Sequence, residues 1–176
     1  RIMIETGADV SVEDLGTVPD FVRVSIARLG LPGYKVLRWE PADPAMYPAL
    51  SVAMTSTHDT EPLAAWWESL TSEERIGYGP DVPQFSEIVR DRLLERVYNA
   101  GSNLVLLPIQ DVFGWRDRIN TPATVGEENW TWRLPWPVEK MREEPEAIVV
   151  DLRRVTFMDS MGLGILVSHR VRAKQE

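Results

Sequence analysis

Short apolar runs alternate with helix-like stretches along this chain, and that alternation leaves few folds open. Asn103 to Ile109 is nearly all apolar and reads as a strand buried on both faces. Ala8 to Val12, Tyr34 to Trp39 and Leu50 to Met54 read as three further strands. Strands of this kind separated by helices make a parallel α/β sheet. Four such units suit either an open doubly wound sheet or part of a closed barrel. A complete eight-fold barrel takes roughly 200 to more than 400 residues, more than the 176 present. No Gly-rich first turn occurs, which disfavours a dinucleotide fold. Half a (β/α)8 barrel is the better reading.

The helices carry their own signals. Thr17 or Pro19 starts one whose apolar positions Phe21, Val22, Ile26 and Leu29 recur at helical spacing, with Gly30 as a stop. Thr60 is expected to cap a short helix from Pro62 to Leu70, and Thr71, Ser72, Glu73 and Glu74 have capping-box spacing. Ser86 to Ala100 interleaves Ile88, Leu93, Leu94, Val97 and Tyr98 with charges. Gly77 to Pro83 reads as a loop, and Phe113 to Pro137 is irregular and holds four of the seven Trp. Packing accounts for most Trp, although pyranose C–H faces also stack on indoles, and sequence does not divide the seven.

Two of the strand-like runs end at candidate chemistry. In alternating βα proteins the carboxyl ends of the strands are where sites are assembled. Glu13 and Asp14 follow the first run, and Thr57-His58-Asp59-Thr60 follows the third, on what reads as a neighbouring strand. Two acids so placed are the minimum equipment for glycosyl transfer; a retaining enzyme pairs a nucleophile with an acid about 5 Å away. Glu13 is the candidate acid, since burial near other carboxylates keeps such a group protonated. The alternative is that Glu13 and Asp14 cap the following turn. Asp59 suits the stabilisation of positive charge at an anomeric carbon, or else a helix cap. His58 suits a hydrogen bond to a sugar hydroxyl, or a structural role. Asp14 is a further candidate sugar ligand.

Bulk properties exclude other classes. The net charge of −8 and the lack of a basic stripe argue against a nucleic-acid surface. Without cysteine there are neither disulfides nor thiolate metal sites, and two His are too few for zinc. No apolar run is long enough to span a membrane, and no signal peptide is seen, so a cytoplasmic protein is expected. The opening Arg1 lies inside a strand-like run, so a missing beginning is expected.

Five motifs occur in order: Glu13-Asp14-Leu15-Gly16, Gly33-Tyr34-Lys35-Val36-Leu37, Thr57-His58-Asp59-Thr60, Leu107-Pro108-Ile109-Gln110-Asp111 and Asn129-Trp130-Thr131-Trp132-Arg133. Together they resemble the carboxyl-terminal half of the 4-alpha-glucanotransferases (amylomaltases) of glycoside hydrolase family 77, over about residues 1 to 146. The resemblance implies the C-terminal half of a (β/α)8 TIM barrel acting on alpha-1,4-glucan or maltooligosaccharide with retention, without metal or organic cofactor. By motif match Glu13 is the general acid/base, Asp59 the transition-state-stabilising acid, His58 a substrate-binding residue and Asn120 a position near the donor sugar. The family's nucleophile lies in an Arg-x-Asp-His-like motif upstream of everything present, and nothing replaces it. The chain alone is therefore expected to be inactive, with a complementary amino-terminal barrel half as a potential partner.

From about residue 147 the character changes. Ile148-Val149-Val150-Asp151-Leu152 through Asp159-Ser160-Met161-Gly162 resembles the strand-turn-helix at the middle of a STAS domain, an anti-sigma-factor antagonist module. That resemblance implies a kinase or sigma-factor partner for the tail, the alternative reading of function. Met161 stands where the family's phosphoacceptor serine would be, leaving Ser160 as a helix cap. About thirty residues are too few to bury an independent core. Expected domains are 1–146 and 147–176, joined by truncation or splicing, with two exposed strand edges that invite aggregation.

Overall fold

The computed structural model describes residues 10–79, 82–137 and 139–140. The STAS-like stretch from 147 onward, and the start of the first expected strand, lie outside the described residues.

Three strands form a parallel sheet in sequence order: β1 (Gly33–Val36), β2 (Ser51–Met54) and β3 (Leu104–Leu106). Register runs Gly33 to Ser51 and Val36 to Met54, then Val52 to Leu104 and Met54 to Leu106. Val12 adds an isolated parallel bridge to Gly33, its N–H donating to the Pro32 carbonyl at 2.9 Å. The order across the sheet is therefore Val12, β1, β2, β3.

The side-chain period of two sorts β2 between two apolar clusters. Ala53 packs with Leu37, Leu63, Trp66, Trp67, Leu93 and Val97 on the helix-covered face. Val52 and Met54 pack with Val36 on the other. Those helices are α2 (Leu63–Ser69) and α4 (Glu87–Tyr98), which contribute buried Trp67 and Val97. β2 is buried along its whole length, as a central parallel strand must be.

The expectation for residues 103–109 needs correction. β3 stops at Leu106, where the side chain is 40% exposed; among the described residues β2 alone flanks it. Pro108 has no N–H for a ladder and is set at φ −58°, so it opens a helix, α5 (Ile109–Phe113), instead of extending the strand. The strand expected through Trp39 likewise ends at Val36, in a turn closed by the Trp39 N–H on the Val36 carbonyl.

Local helix chemistry behaves as its residues dictate. α1 (Asp20–Leu29) ends at Gly30 with φ +66°, a left-handed cap that glycine adopts without penalty. Its helical spacing is right, yet none of its residues is buried, and Phe21 is 72% exposed. α3 (Ser72–Ile76) carries the full capping box between Thr71 and Glu74. Ser86 caps α4 through the Val89 N–H. In α4 Val89, Leu93, Leu94 and Val97 are buried, whereas Ile88 and Tyr98 are exposed. Thr60 does not cap α2: its hydroxyl closes a turn on Thr57. Among the described residues no helix is long and apolar enough to cross a membrane.

Candidate active site

The turn at residues 57–60 leaves β2 and enters α2, and one buried carboxylate grips it on both sides. Asp111, from α5, is 0% exposed. Its Oδ2 accepts from Thr55 Oγ1 and Ser56 Oγ at 2.5 Å each, and its Oδ1 accepts from the Leu63 N–H at 2.6 Å. The first N–H of α2 is thus capped from 48 residues away. Burial pushes the Asp111 carboxyl above the usual carboxylate range, against the opposing pull of those three donors and of Arg38.

Held this way, the turn folds on itself. Thr57 Oγ1 accepts from the Asp59 N–H at 3.2 Å, and its N–H donates to Thr60 Oγ1 at 3.0 Å. His58 and Asp59 are left projecting, with side chains 40% and 37% exposed. Asp59 Oδ1 accepts from Asn120 Nδ2 at 2.7 Å and lies 3.3 Å from His58 Nε2. Its Oδ2 meets no hydrogen-bond donor among the described residues.

Asn120 arrives on a loop that is stapled to the turn. Its own N–H donates to the His58 carbonyl at 3.2 Å. Arg118 donates to the Asp59 carbonyl at 2.7 Å, the Asn120 carbonyl at 3.2 Å and Glu61 Oε1 at 2.5 Å. Arg38 holds the other Glu61 oxygen at 3.1 Å and the Glu61 carbonyl at 2.5 Å, and stacks over Trp66. Burial raises the Glu61 carboxyl, but its own backbone N–H, Arg118 and Arg38 outweigh it and hold the group below the usual range. Burial lowers Arg38 from its ordinary value, opposed by Asp111 and Glu61.

A cleft of ≈ 530 Å³ opens beside Asp59, lined by Arg38, Trp39, Glu61, Arg118 and Thr121 among others. Two cationic and two anionic groups line it, which supplies hydrogen-bond donors and acceptors without net charge. Such a lining suits a neutral polyhydroxyl ligand. Among the described residues no cluster of three His, Asp or Glu could hold a metal ion.

Glu13 and Asp14 behave differently from each other. Asp14 is turned inward: Oδ1 accepts from the Tyr34 N–H at 2.8 Å and Oδ2 from Arg23 at 3.1 Å, finishing the edge of β1 where strand pairing stops. Gly33 permits this approach, since a Cβ there would lie 2.8 Å from Asp14 Oδ1. Glu13 is exposed and meets no hydrogen-bond donor among the described residues. It does not line the cleft beside Asp59. The expectation that Glu13 and Asp59 leave neighbouring strands is corrected, because β1 lies between Val12 and β2. Two interstrand spacings put their chains about 9.5 Å apart.

Sequence reasoning thus finds three side chains that meet, His58, Asp59 and Asn120, and misses what holds them. By sequence Asp111 reads as the end of a strand, and Thr60 as a cap. The capacity of an Arg118 guanidinium to donate several hydrogen bonds, two residues before Asn120, is the one available signal for the staple.

Comparison with known proteins follows the same lines. The pattern of a 4-alpha-glucanotransferase family matches residues 2–139. A 4-alpha-glucanotransferase of Chlamydia pneumoniae is 29% identical over 156 residues, covering 73% of this chain and 29% of that protein. The chloroplastic/amyloplastic enzyme of Solanum tuberosum is 31% identical, covering 72% of this chain and 24% of its own length. Among solved structures, amylomaltase from Streptococcus agalactiae in complex with acarbose superposes with TM-score 0.64 at 26% identity, covering 76% of this chain and 29% of that one. Amylomaltase from Corynebacterium glutamicum, 21% identical, shares the fold with TM-score 0.64 over 80% of this chain and 28% of its own. The chain spans less than a third of the length of these relatives. With the match running over residues 2–139 of 176, the chain belongs to the 4-alpha-glucanotransferases of glycoside hydrolase family 77.

Proposed function

We propose that this chain carries the acid/base and charge-stabilising side of a retaining 4-alpha-glucanotransferase site acting on alpha-1,4-glucans. The observation that carries this reading is the His58, Asp59 and Asn120 set. One carboxylate oxygen is held at 2.7 Å by an amide, and the other accepts no hydrogen bond among the described residues. A carboxylate fixed in that manner is pre-organised to meet positive charge as it develops on an anomeric carbon. Glu13, exposed and unpaired among the described residues, is the group that delivers a proton to the departing glucan oxygen and later withdraws one from the acceptor hydroxyl.

The strand order supports this division of labour. Retaining chemistry wants its nucleophile and acid about 5 Å apart, and two strand spacings separate the chains of Glu13 and Asp59. With the motif match, that spacing assigns Asp59 as the stabiliser rather than the nucleophile. We place the nucleophile outside residues 1–176. The fold we propose is the carboxyl-terminal half of a (β/α)8 barrel. Helices cover one face of the sheet, and the other carries the apolar Val36, Val52 and Met54 that a barrel interior requires. In a closed barrel alternate strands share one interior layer, which relates the Val12 segment to β2.

The test uses maltotriose with the 176-residue polypeptide, alone and mixed with a separately expressed amino-terminal barrel half. The polypeptide alone should release no glucose, and the mixture should disproportionate. Glu13→Gln and Asp59→Asn should each lower the restored rate by roughly 10²- to 10³-fold. A restored rate indifferent to both substitutions would overturn the assignment.

A further inference from the structure

We propose that Trp130 is a stacking platform for a pyranose ring, a sugar contact adjoining Asp59 on the side of the 118–132 loop. This rests on the glucan reading of the site and extends it to a residue that the acid/base chemistry does not use.

Three observations carry it. The first is backbone strain. Trp130 sits at φ +63°, one of two non-glycine residues with positive φ among the described residues. For a bulky residue that conformation costs about 1–2 kcal/mol. Local bonds impose it: the Trp130 N–H donates to the Ile119 carbonyl at 2.8 Å, and its carbonyl accepts from Arg133 at 3.4 Å. The neighbouring Asn129 is fixed by the Thr121 N–H at 3.0 Å and by Thr124.

The second is exposure. Trp66 and Trp67 are core, and Trp115, Trp132 and Trp136 pack with Phe113 in one aromatic cluster. Trp130 does neither and is 59% exposed. Strain is therefore accepted at a residue whose indole gains little packing in return. The third is position. The Trp130 ring lies 5.2 Å from His58, tilted by 39°, and His58 in turn lies 3.3 Å from Asp59 Oδ1. An open indole surface thus stands one side chain from the carboxylate with a free oxygen.

The chemistry of that surface selects its ligand. The negative face of an indole attracts weakly positive C–H groups, and a pyranose presents several on one face while its hydroxyls remain outward. His58, beside the ring, offers a donor for those hydroxyls, and the Arg133 guanidinium lies on the Trp130 carbonyl. A protein partner would call for a contiguous apolar patch of several hundred Å². In sequence Trp130 instead lies among polar and charged residues, Glu128, Asn129, Thr131 and Arg133.

The experiment follows maltoheptaose binding to the full 176-residue chain by tryptophan fluorescence and by indole N–H shifts in NMR. Trp130→Ala should weaken binding roughly tenfold, equivalent to 1.4 kcal/mol, while Trp130→Phe retains most of it. Urea midpoints of both variants should match the parent, since little packing is lost. A Trp130→Ala affinity within ~2-fold of the parent, in a chain where Asp59→Asn still weakens binding, overturns the platform and leaves the glucan site standing. Absence of saccharide binding by the parent overturns both. The parent's own Trp130 indole signal tests the same point without a variant: it must move on titration, and a static signal overturns the proposal.

Discussion

Removing the Asp111 carboxylate asks how the Asp59 turn is held in place. Three donors converge on it, and all are buried: the hydroxyls of Thr55 and Ser56, 0% and 1% exposed, and the N–H of Leu63, itself 0% exposed. Asp111→Ala strips all three of their acceptor. A buried donor left unsatisfied costs about 1–3 kcal/mol. The Leu63 N–H cannot turn away, whereas the hydroxyls can rotate, so counting one in full and two at the low end gives about 3–5 kcal/mol. Against a domain stability of about 5–15 kcal/mol, that is close to unfolding. Asp111→Asn is the informative partner. Its carbonyl still accepts from Leu63, and its amide donates to hydroxyls that can accept as well as donate, so the expected cost is about 1 kcal/mol. The two variants differ sharply only if hydrogen bonding, rather than charge, fixes the turn. Urea unfolding followed by tryptophan fluorescence measures both midpoints at constant m. Equal losses in the two variants, or a loss under ~1 kcal/mol for alanine, would refute this reasoning. The pH dependence gives an independent sign. Burial raises the Asp111 carboxyl in the folded chain, so the folded state binds the proton more tightly than the unfolded one. That group's contribution is full below about pH 3.9 and is lost as pH rises through the raised value. Asparagine should abolish that slope.

Two other outcomes follow from the same geometry. Glu61 is held below the usual carboxylate range by its backbone N–H, Arg118 and Arg38 against burial, so its contribution is present above about pH 4.3 and is lost as pH falls through the depressed value. Protection of the Asn120 N–H against hydrogen exchange, taken relative to the unprotected rate at the same pH, should therefore fall on acidification in the parent and be low at all pH values in Glu61→Gln; a parent without that acid response would count against the staple. Gly33→Ala inserts a Cβ 2.8 Å from Asp14 Oδ1 at the start of β1, which should cost about 1–3 kcal/mol in urea unfolding, and an unchanged midpoint would show that Asp14 does not need that approach.

What is legible in the sequence is what neighbours decide. The capping box at Thr71 and Glu74 and the Gly30 stop depend on residues within one helical turn, and both are found where local chemistry puts them. The parallel sheet follows from apolar runs because β2 has neighbours on both sides and helices on one face. β3 misleads because apolar content does not reveal whether a second strand flanks it, and Pro108 outweighs the apolar run as a strand breaker. The site is legible in its chemistry and not in its support. His58, Asp59 and Asn120 stand out through the family motifs, whereas Asp111, Arg38 and Arg118 act from distant parts of the chain, Asp111 across 48 positions and Arg118 across 59, a reach no local pattern encodes. The strand order also defeats sequence reading for Glu13, because β1 intervenes between its segment and β2.

Asn120 and Asp59 stand 61 positions apart, yet their side chains share one amide proton at 2.7 Å, and a backbone bond from Asn120 to His58 and a guanidinium bond from Arg118 to the Asp59 carbonyl run alongside it. Evolution at the turn is accordingly yoked to evolution of a distant loop. Point changes in that loop's solvent-facing tip can accumulate freely, but inserting or deleting a single residue between Arg118 and Asn120 would slide the amide past its mate. Loop exchange among relatives should succeed only where this short spacing is preserved, whatever the overall sequence divergence.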